Sequence, residues 1–267
     1  MNLSDLAAAG AIPRAFFLTI GLPARDDAWL AGFTKGMTEL SRQAGCPLLG
    51  GDTTRTAKVG DIHAPVTISI TAMGELPQSM GLTRSGARPG DDIWVSGCVG
   101  GAWAALMHRW GKLTLDARVF PAAALAMDRP NPRNALGTAL LSSATACADI
   151  SDGLAQDLGH ILERSGVDAD VLWDAVPKHP ALAALSQEQQ VEAAMSGGDD
   201  YELVFTAPAD KRGLIEQASI SALTPVTRIG RIVEKKPSGA PLAIRDASGR
   251  PLFLPVQGFD HFAQSAD

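Results

Sequence analysis

Acidic residues recur at positions where predicted helices and strands begin or end. Asp149 and Asp152 flank one turn, and Asp5, Asp52 and residues 199–202 supply the other carboxylates. Hard oxygen ligands without His or Cys partners favour Mg²⁺ over zinc or copper. Mg²⁺ bound in this way usually carries phosphates, and phosphoryl transfer depends mainly on positioning and charge neutralisation. The pattern therefore predicts a site for Mg²⁺ and a phosphorylated ligand.

The turn that contains Asp149 is the segment around which the chain is organised. Asp149 ends a short apolar strand, and a carboxylate there is costly to bury unless it is paired or bound to a metal. Asp152 follows on the same turn, so both carboxylates can face one cation at the amino end of the next helix. The alternative is that Ser151 or Asp152 is an ordinary N-cap. The buried stripe of that helix is predicted to comprise Leu154, Leu158, Ile161 and Leu162.

Two segments with the pattern Gly-Gly-acid are further candidates for ligand contact. Residues 50–55 read Gly-Gly-Asp-Thr-Thr-Arg, and residues 197–202 read Gly-Gly-Asp-Asp-Tyr-Glu. Paired glycines let a ligand approach the backbone closely, and arginine binds phosphates. The alternatives are a turn between strands for the first segment and a solvated hairpin tip for the second.

The overall composition restricts the class of protein. The 267 residues are 46% hydrophobic and 19% charged, which suffices for one large domain or two of ordinary size. The net charge of −6 and the 5% of aromatic residues argue against a nucleic-acid surface. The three cysteines are scattered, and no apolar run reaches the roughly 20 residues that span a bilayer. We therefore expect a cytoplasmic protein.

The elements that position the acidic residues fall into two predicted domains. Glycine and proline concentrate between residues 74 and 90, which indicates a boundary. We expect an amino-terminal domain at 1–76, a linker at 77–82 and a carboxy-terminal α/β domain at 83–267.

Two helices are predicted within these domains. A helix begins near Asp26, and its apolar face is expected to belong to the core: Trp29, Phe33, Met37 and Leu40. Another helix opens at Gly97, Gly100 and Gly101. Neither GxGxxG nor a Walker pattern is present, so a Rossmann or P-loop assignment has little support.

Six segments, spread in order over nearly the whole chain, resemble the thiamine-monophosphate kinase family. They are residues 2–8, 50–55, 82–91, 149–154, 196–203 and 258–262. Shorter pieces also occur in the wider superfamily of aminoimidazole ribonucleotide synthetase-like, ATP-using enzymes. The resemblance implies an α/β (α+β) fold with two domains, of which the amino-terminal one is incomplete here. It also implies a homodimer formed by the amino-terminal domains.

The resemblance further implies a reaction and a set of site residues. ATP would phosphorylate thiamine phosphate to thiamine diphosphate by direct transfer with several Mg²⁺ ions, without a covalent intermediate or a general base. The residues that match the family's Mg²⁺ ligands are Asp5, Asp52, Asp149 and Asp152. Those that match its ATP contacts are Gly51, Asp52, Arg84 and Ser151. Those that match its contacts to the thiamine part are Asp199 and Phe259.

The chain departs from the family pattern in two respects. Asp199 stands where the family usually has Glu, which carries the same charge on a side chain one methylene longer. The pattern also begins roughly 70 residues before Met1, in a segment with a Gly-Ile-Gly-Asp-Asp loop and a Ser-Thr-Asp strand that carry further metal ligands. We therefore expect an amino-terminally shortened chain with little or no kinase activity.

Two other functions fit parts of the same pattern. The first is that of another ATP-using synthetase of the superfamily, such as a purine-biosynthetic or selenophosphate synthetase. A selenophosphate synthetase should carry a reactive Cys or selenocysteine near its start, whereas the first cysteine here is Cys46. The second is that of a non-catalytic chain that binds thiamine phosphate or ATP, or only dimerises.

Overall fold

The computed structural model describes residues 1–60, 62–77 and 81–252. Phe259 lies outside these residues. The amino-terminal part contains, in chain order, α1 (Asn2–Ala8), β1 (Ile12–Leu22), α2 (Asp27–Gln43), β2 (Leu48–Arg55), β3 (Lys58–Val59), β4 (Ile62–His63) and β5 (Thr67–Glu75). β1 lies at the centre of a three-stranded sheet, parallel to β2 and antiparallel to β5. β3 and β4 pair with each other as a short hairpin.

The carboxy-terminal part is built on a six-stranded sheet. Its elements are β6 (Asp92–Ser96), α3 (Gly101–Arg109), α4 (Phe120–Asp128), α5 (Asn134–Leu140), β7 (Ala146–Asp149), α6 (Leu154–Ser165), β8 (Asp168–Leu172), α7 (Gln187–Ser196), β9 (Leu203–Ala207), α8 (Arg212–Ser221), β10 (Val226–Val233) and β11 (Leu242–Arg245). The strand order is β11-β8-β10-β6-β9-β7. No helix in the described ranges has the length and apolar composition needed to cross a membrane.

Both faces of the six-stranded sheet are covered by apolar side chains. Successive residues of a strand point to opposite faces. In β6, Ile93 and Val95 accordingly join one buried cluster, while Trp94 joins the other. The first cluster contains the apolar stripe of α6, and the second contains Leu136 and Leu140 of α5. This packing fixes the ends of β7 and β9, where the acidic motifs lie.

The predicted stripe of α6 is confirmed, since Leu154, Leu158, Ile161 and Leu162 are all buried. A fifth position on the same face is occupied by a buried acid, Asp157. Gly166 ends the helix with φ +68°, a left-handed conformation that favours glycine.

The prediction that the apolar face of α2 belongs to the core is wrong for the described chain. No residue of α2 is buried, and Trp29 remains 39% exposed although it stacks on Phe33 at a centroid distance of 5.2 Å. The physical reason is that this face borders a cavity of about 810 Å³ instead of a packed surface. The walls of this cavity also include Phe16 of β1 and Ile70 of β5.

Residues 50–55, for which a turn was one interpretation, belong to strand β2. Asp52 pairs with Thr19 of β1 in the parallel register. The Gly-Gly-Asp segment is therefore extended backbone at an outer strand of the small sheet.

Candidate active site

The two acidic motifs at 149–152 and 198–202 are docked on each other through their backbones. The Ile150 N–H donates to the carbonyl of Glu202 at 2.8 Å, and the Tyr201 N–H donates to the carbonyl of Ile150 at 2.9 Å. The Asp199 N–H donates to the carbonyl of Ser151 at 2.8 Å. These bonds continue the antiparallel pairing of β7 with β9, in which Asp149 faces Leu203. The structure thus joins two motifs that the sequence identified separately.

Asp5, Asp149 and Asp199 lie close enough to share one electrostatic environment. Burial, and then the negative charge of Asp149, raise the pKa of Asp5, while Arg84 acts in the opposite direction. Burial lowers the pKa of the Met1 amino group, and the charges of Asp5, Asp149 and Asp199 counteract that effect. α1, the end of β7 and the loop before β9 therefore form an acidic site that attracts cations.

The turn between β7 and α6 is held by Asp157, a residue that the sequence analysis did not single out. The backbone N–H groups of Ser151 and Asp152 both donate to Asp157 Oδ2 at 3.0 Å. Burial raises the pKa of Asp157 to about 7, although these two N–H donors lower it. The interpretation of Ser151 or Asp152 as the N-cap is wrong, because Gly153 occupies that position without a side-chain bond. The sequence signal that could have identified Asp157 is an acidic residue on the otherwise apolar stripe of α6.

Asp52, another predicted metal ligand, lies on the small amino-terminal sheet. It is exposed on β2, and its Oδ1 accepts the N–H of Thr53 at 2.8 Å. Across the described ranges, no three His, Cys, Asp or Glu side chains converge closely enough to hold a metal ion. Asp5, Asp149 and Asp199 act electrostatically on one group, the Met1 amino group, and Asp152 lies on the turn that follows Asp149. Asp52 lies on β2 of the small sheet.

The donor chemistry of this site nevertheless fits Mg²⁺. Mg²⁺ usually retains several waters and takes one or two carboxylates together with substrate phosphates, so a complete cage of protein ligands is not required. Asp149 is 5% exposed, at the end of β7, and its charge acts on Asp5, Asp157 and the Met1 amino group. A bound cation would offset this concentration of negative charge.

The segment before β9 has a strained backbone and links the acidic site to the cavity. Asp199 and Tyr201 have φ values of +58° and +51°, which non-glycine residues rarely adopt. The Tyr201 hydroxyl donates to Asp199 Oδ1 at 2.9 Å, and Tyr201 lines the cavity of about 810 Å³. Burial and then Asp199 raise the pKa of Tyr201. Strain of this kind concentrates at functional sites.

Two further acidic residues, Asp200 and Glu202, hold the segment before β9 in place. Both carboxylate oxygens of Asp200 accept the Gly100 N–H at 2.9 Å at the start of α3, and burial raises the pKa of Asp200 well above its ordinary value. Glu202 pairs with Arg133. Neither contact has a local signal in the sequence, since the partners are 100 and 69 residues apart.

The fold and this site define the chain as a member of the AIR synthase related class. Residues 1–76 match the family model described as AIR synthase related protein, N-terminal domain, and residues 88–241 match the corresponding C-terminal domain. The two-domain fold class expected from the sequence is confirmed.

Comparison with known proteins narrows the class to one family. Thiamine-monophosphate kinase from Haemophilus influenzae is 38% identical over 267 residues, which is 99% of this chain and 78% of that protein. The crystal structure of thiamine-monophosphate kinase from Stenotrophomonas maltophilia has a TM-score of 0.82 and 40% identity, covering 91% of this chain and 75% of that chain. AaThiL complexed with AMPPCP and TMP has a TM-score of 0.79 and 26% identity over 98% of this chain and 77% of that chain. The chain belongs to the thiamine-monophosphate kinase family.

Proposed function

We propose that this protein uses ATP to phosphorylate thiamine phosphate, giving ADP and thiamine diphosphate. The observation that carries the proposal is the docking of the motifs at 149–152 and 198–202, which produces an acidic site beside a cavity. Family membership supports it, as does a similar solved structure that holds AMPPCP and TMP.

The chemistry asked of the residues is positioning and charge control. An oxygen of the acceptor phosphate forms a bond to the γ-phosphorus while the bond from that phosphorus to the ADP oxygen breaks. Such a transfer needs no covalent enzyme intermediate, and its charged transition state is stabilised mainly by metal ions and cationic side chains. Mg²⁺, when bound, would neutralise phosphate charge.

We assign the individual roles as follows, in line with the family resemblance. Asp5, Asp52, Asp149 and Asp152 would hold Mg²⁺. Arg84 and Ser151 would contact ATP, together with Gly51 and Asp52. Asp199 would hold the thiamine part, and Phe259 is assigned to the same part. The electrostatic grouping of Asp5, Asp149, Asp199 and Arg84 supports these assignments.

We also propose the division into domains at 1–76 and 83–267, a homodimer, and a cytoplasmic location. The dimer proposal is supported by apolar side chains that are exposed on the small sheet, including Leu49 on β2 and Ile68 on β5. The location is supported by Cys46, Cys98 and Cys147, which are all free thiols. Sedimentation analysis of the purified chain tests the dimer directly.

Calorimetry with each ligand tests the function. We expect AMPPCP to bind in the presence of Mg²⁺ and more weakly without it, and thiamine phosphate to bind at a separate subsite. Binding of AMPPCP but not thiamine phosphate would favour another synthetase of the superfamily, and binding of neither would favour a non-catalytic chain. That the chain has little or no kinase activity stays a prediction, which an assay of thiamine diphosphate formation measures.

A further inference from the structure

A buried ion pair connects the start of α5 with the acidic segment before β9. Arg133 Nε donates to Glu202 Oε2 at 2.7 Å, and its Nη2 donates to Oε1 of the same carboxylate. The two side chains are only 16% and 8% exposed. A bidentate arginine–carboxylate pair fixes orientation as well as distance.

The Glu202 carboxylate is also held from the end of β6. Ser96 Oγ donates to Glu202 Oε2 and accepts the N–H of Leu203 at 2.8 Å. Gly97, with φ +55°, packs so closely that a Cβ there would lie 2.0 Å from Glu202 Oε1. The carboxylate therefore has a single position, which is set by the end of β6 and the start of α5.

The ion pair anchors two parts of the site at once. On one side, Glu202 directly follows Tyr201, which lines the cavity and whose hydroxyl donates to Asp199. On the other side, Asn131 and Pro132 directly precede Arg133 and line the same cavity. Left-handed backbone at Asp199 and Tyr201 is strained and persists only where the surrounding contacts hold it in place.

We propose that Arg133 is a positioning residue, which acts through Glu202 to keep Tyr201 and Asp199 at the junction between the acidic site and the cavity. Through this arrangement it sets the affinity for the phosphorylated aromatic substrate and leaves nucleotide affinity unchanged. The substrate part of this inference rests on the proposed function. The positioning of Tyr201 does not.

The first test needs no ligand, because Tyr201 is the single tyrosine of the chain. Labelling with ring-¹³C tyrosine gives one set of signals, which reports the environment of this side chain. We expect Arg133→Ala and Glu202→Gln to shift these signals while circular dichroism shows a folded chain. Arg118→Ala is the matched control, since it breaks an exposed bidentate pair with Asp116 and should leave the signals in place.

Arg133→Lys keeps the positive charge but loses the bidentate geometry, so it should give an intermediate shift. If Arg133→Ala does not fold, Arg133→Lys and Glu202→Gln are measured in its place. Unshifted tyrosine signals in folded Arg133→Lys and Glu202→Gln would overturn the proposal.

The second test separates positioning from a general loss of structure. Calorimetry should show that Arg133→Ala, or Arg133→Lys to a smaller extent, raises the Kd for thiamine phosphate by about tenfold or more and leaves the Kd for AMPPCP within about twofold. Equal weakening of both ligands would contradict a specific role. If the wild-type chain binds no thiamine phosphate while the tyrosine signals shift as expected, the proposed function fails and the positioning role stands.

Discussion

Replacement of Gly198 by alanine tests how closely the two acidic motifs are docked. Gly198 has φ +67°, and a Cβ at this position would lie 2.5 Å from the carbonyl oxygen of Ser151. The same carbonyl accepts the N–H of Asp199 at 2.8 Å. Neither contacting group is a flexible side chain, so Gly198→Ala must separate the backbones of the two motifs.

The expected cost follows from two contributions. The left-handed conformation costs a non-glycine residue about 1–2 kcal/mol, and the loss of the Asp199–Ser151 hydrogen bond costs about 1 kcal/mol. We therefore expect the free energy of unfolding to fall by about 2–3 kcal/mol. Gly159 is the matched control, since it lies inside α6 with nothing near its Cβ position. Gly159→Ala should raise the free energy of unfolding by about 1 kcal/mol, through helix propensity.

Urea unfolding followed by tryptophan fluorescence measures both effects. A systematic error in extrapolating the free energy of unfolding to zero urea affects both variants alike, so it cannot produce two changes of opposite sign. Gly198→Ala should also weaken thiamine phosphate binding, since Asp199 moves relative to Asp149. A stability of Gly198→Ala within about 0.5 kcal/mol of wild type would refute the close docking on which the site is built.

Three further predictions concern burial and charge around the site. Asp157 has a folded pKa of about 7, above its unfolded value of about 3.9, so the stability that it provides is complete below pH 4 and is lost as the pH rises to 7. Asp157→Asn should abolish that loss, which is on the order of 4 kcal/mol, in urea titrations at successive pH values without metal. At Asp92, burial raises the pKa, but hydrogen bonds from Arg212 and Arg228 outweigh it and lower the pKa overall. The stabilisation that Asp92 provides is therefore present above pH 4 and lost as the pH falls further. Asp92→Asn should lack this loss of stability in acid. Equal acid sensitivity of Asp92→Asn and the wild-type chain would contradict the prediction. Leu158 is fully buried in α6, so Leu158→Ala should lower the free energy of unfolding by about 2–5 kcal/mol, and a change below about 1 kcal/mol would show that the α6 stripe is not packed as described.

The sequence predicted those parts of the fold that local periodicity determines. The stripe from Leu154 to Leu162 repeats with the helical period, and its burial follows because only one face of α6 is apolar. The face of α2 carries the same kind of pattern but is exposed, since periodicity identifies an apolar face without specifying the surface that covers it.

Most contacts that build the candidate site join residues far apart in the sequence, so local sequence patterns could not predict them. Composition and motif type identified Asp149 and Asp199, but their docking depends on the pairing of β7 with β9. Arg133 and Glu202 are joined only by the folded topology. Asp52 was grouped with the other acids by motif alone, and the structure places it on an outer strand of the small sheet.

Binding of Mn²⁺, used in place of Mg²⁺ and followed by electron paramagnetic resonance in the presence of AMPPCP, tests the central claim most directly. That claim is that the carboxylates at α1 and at the end of β7 bind a divalent ion together with the triphosphate. Asp149→Asn should weaken Mn²⁺ binding by about tenfold or more, while Glu163→Gln, which removes an exposed charge from α6, should not change it. Equal Mn²⁺ affinity in Asp149→Asn and the wild-type chain would contradict the account.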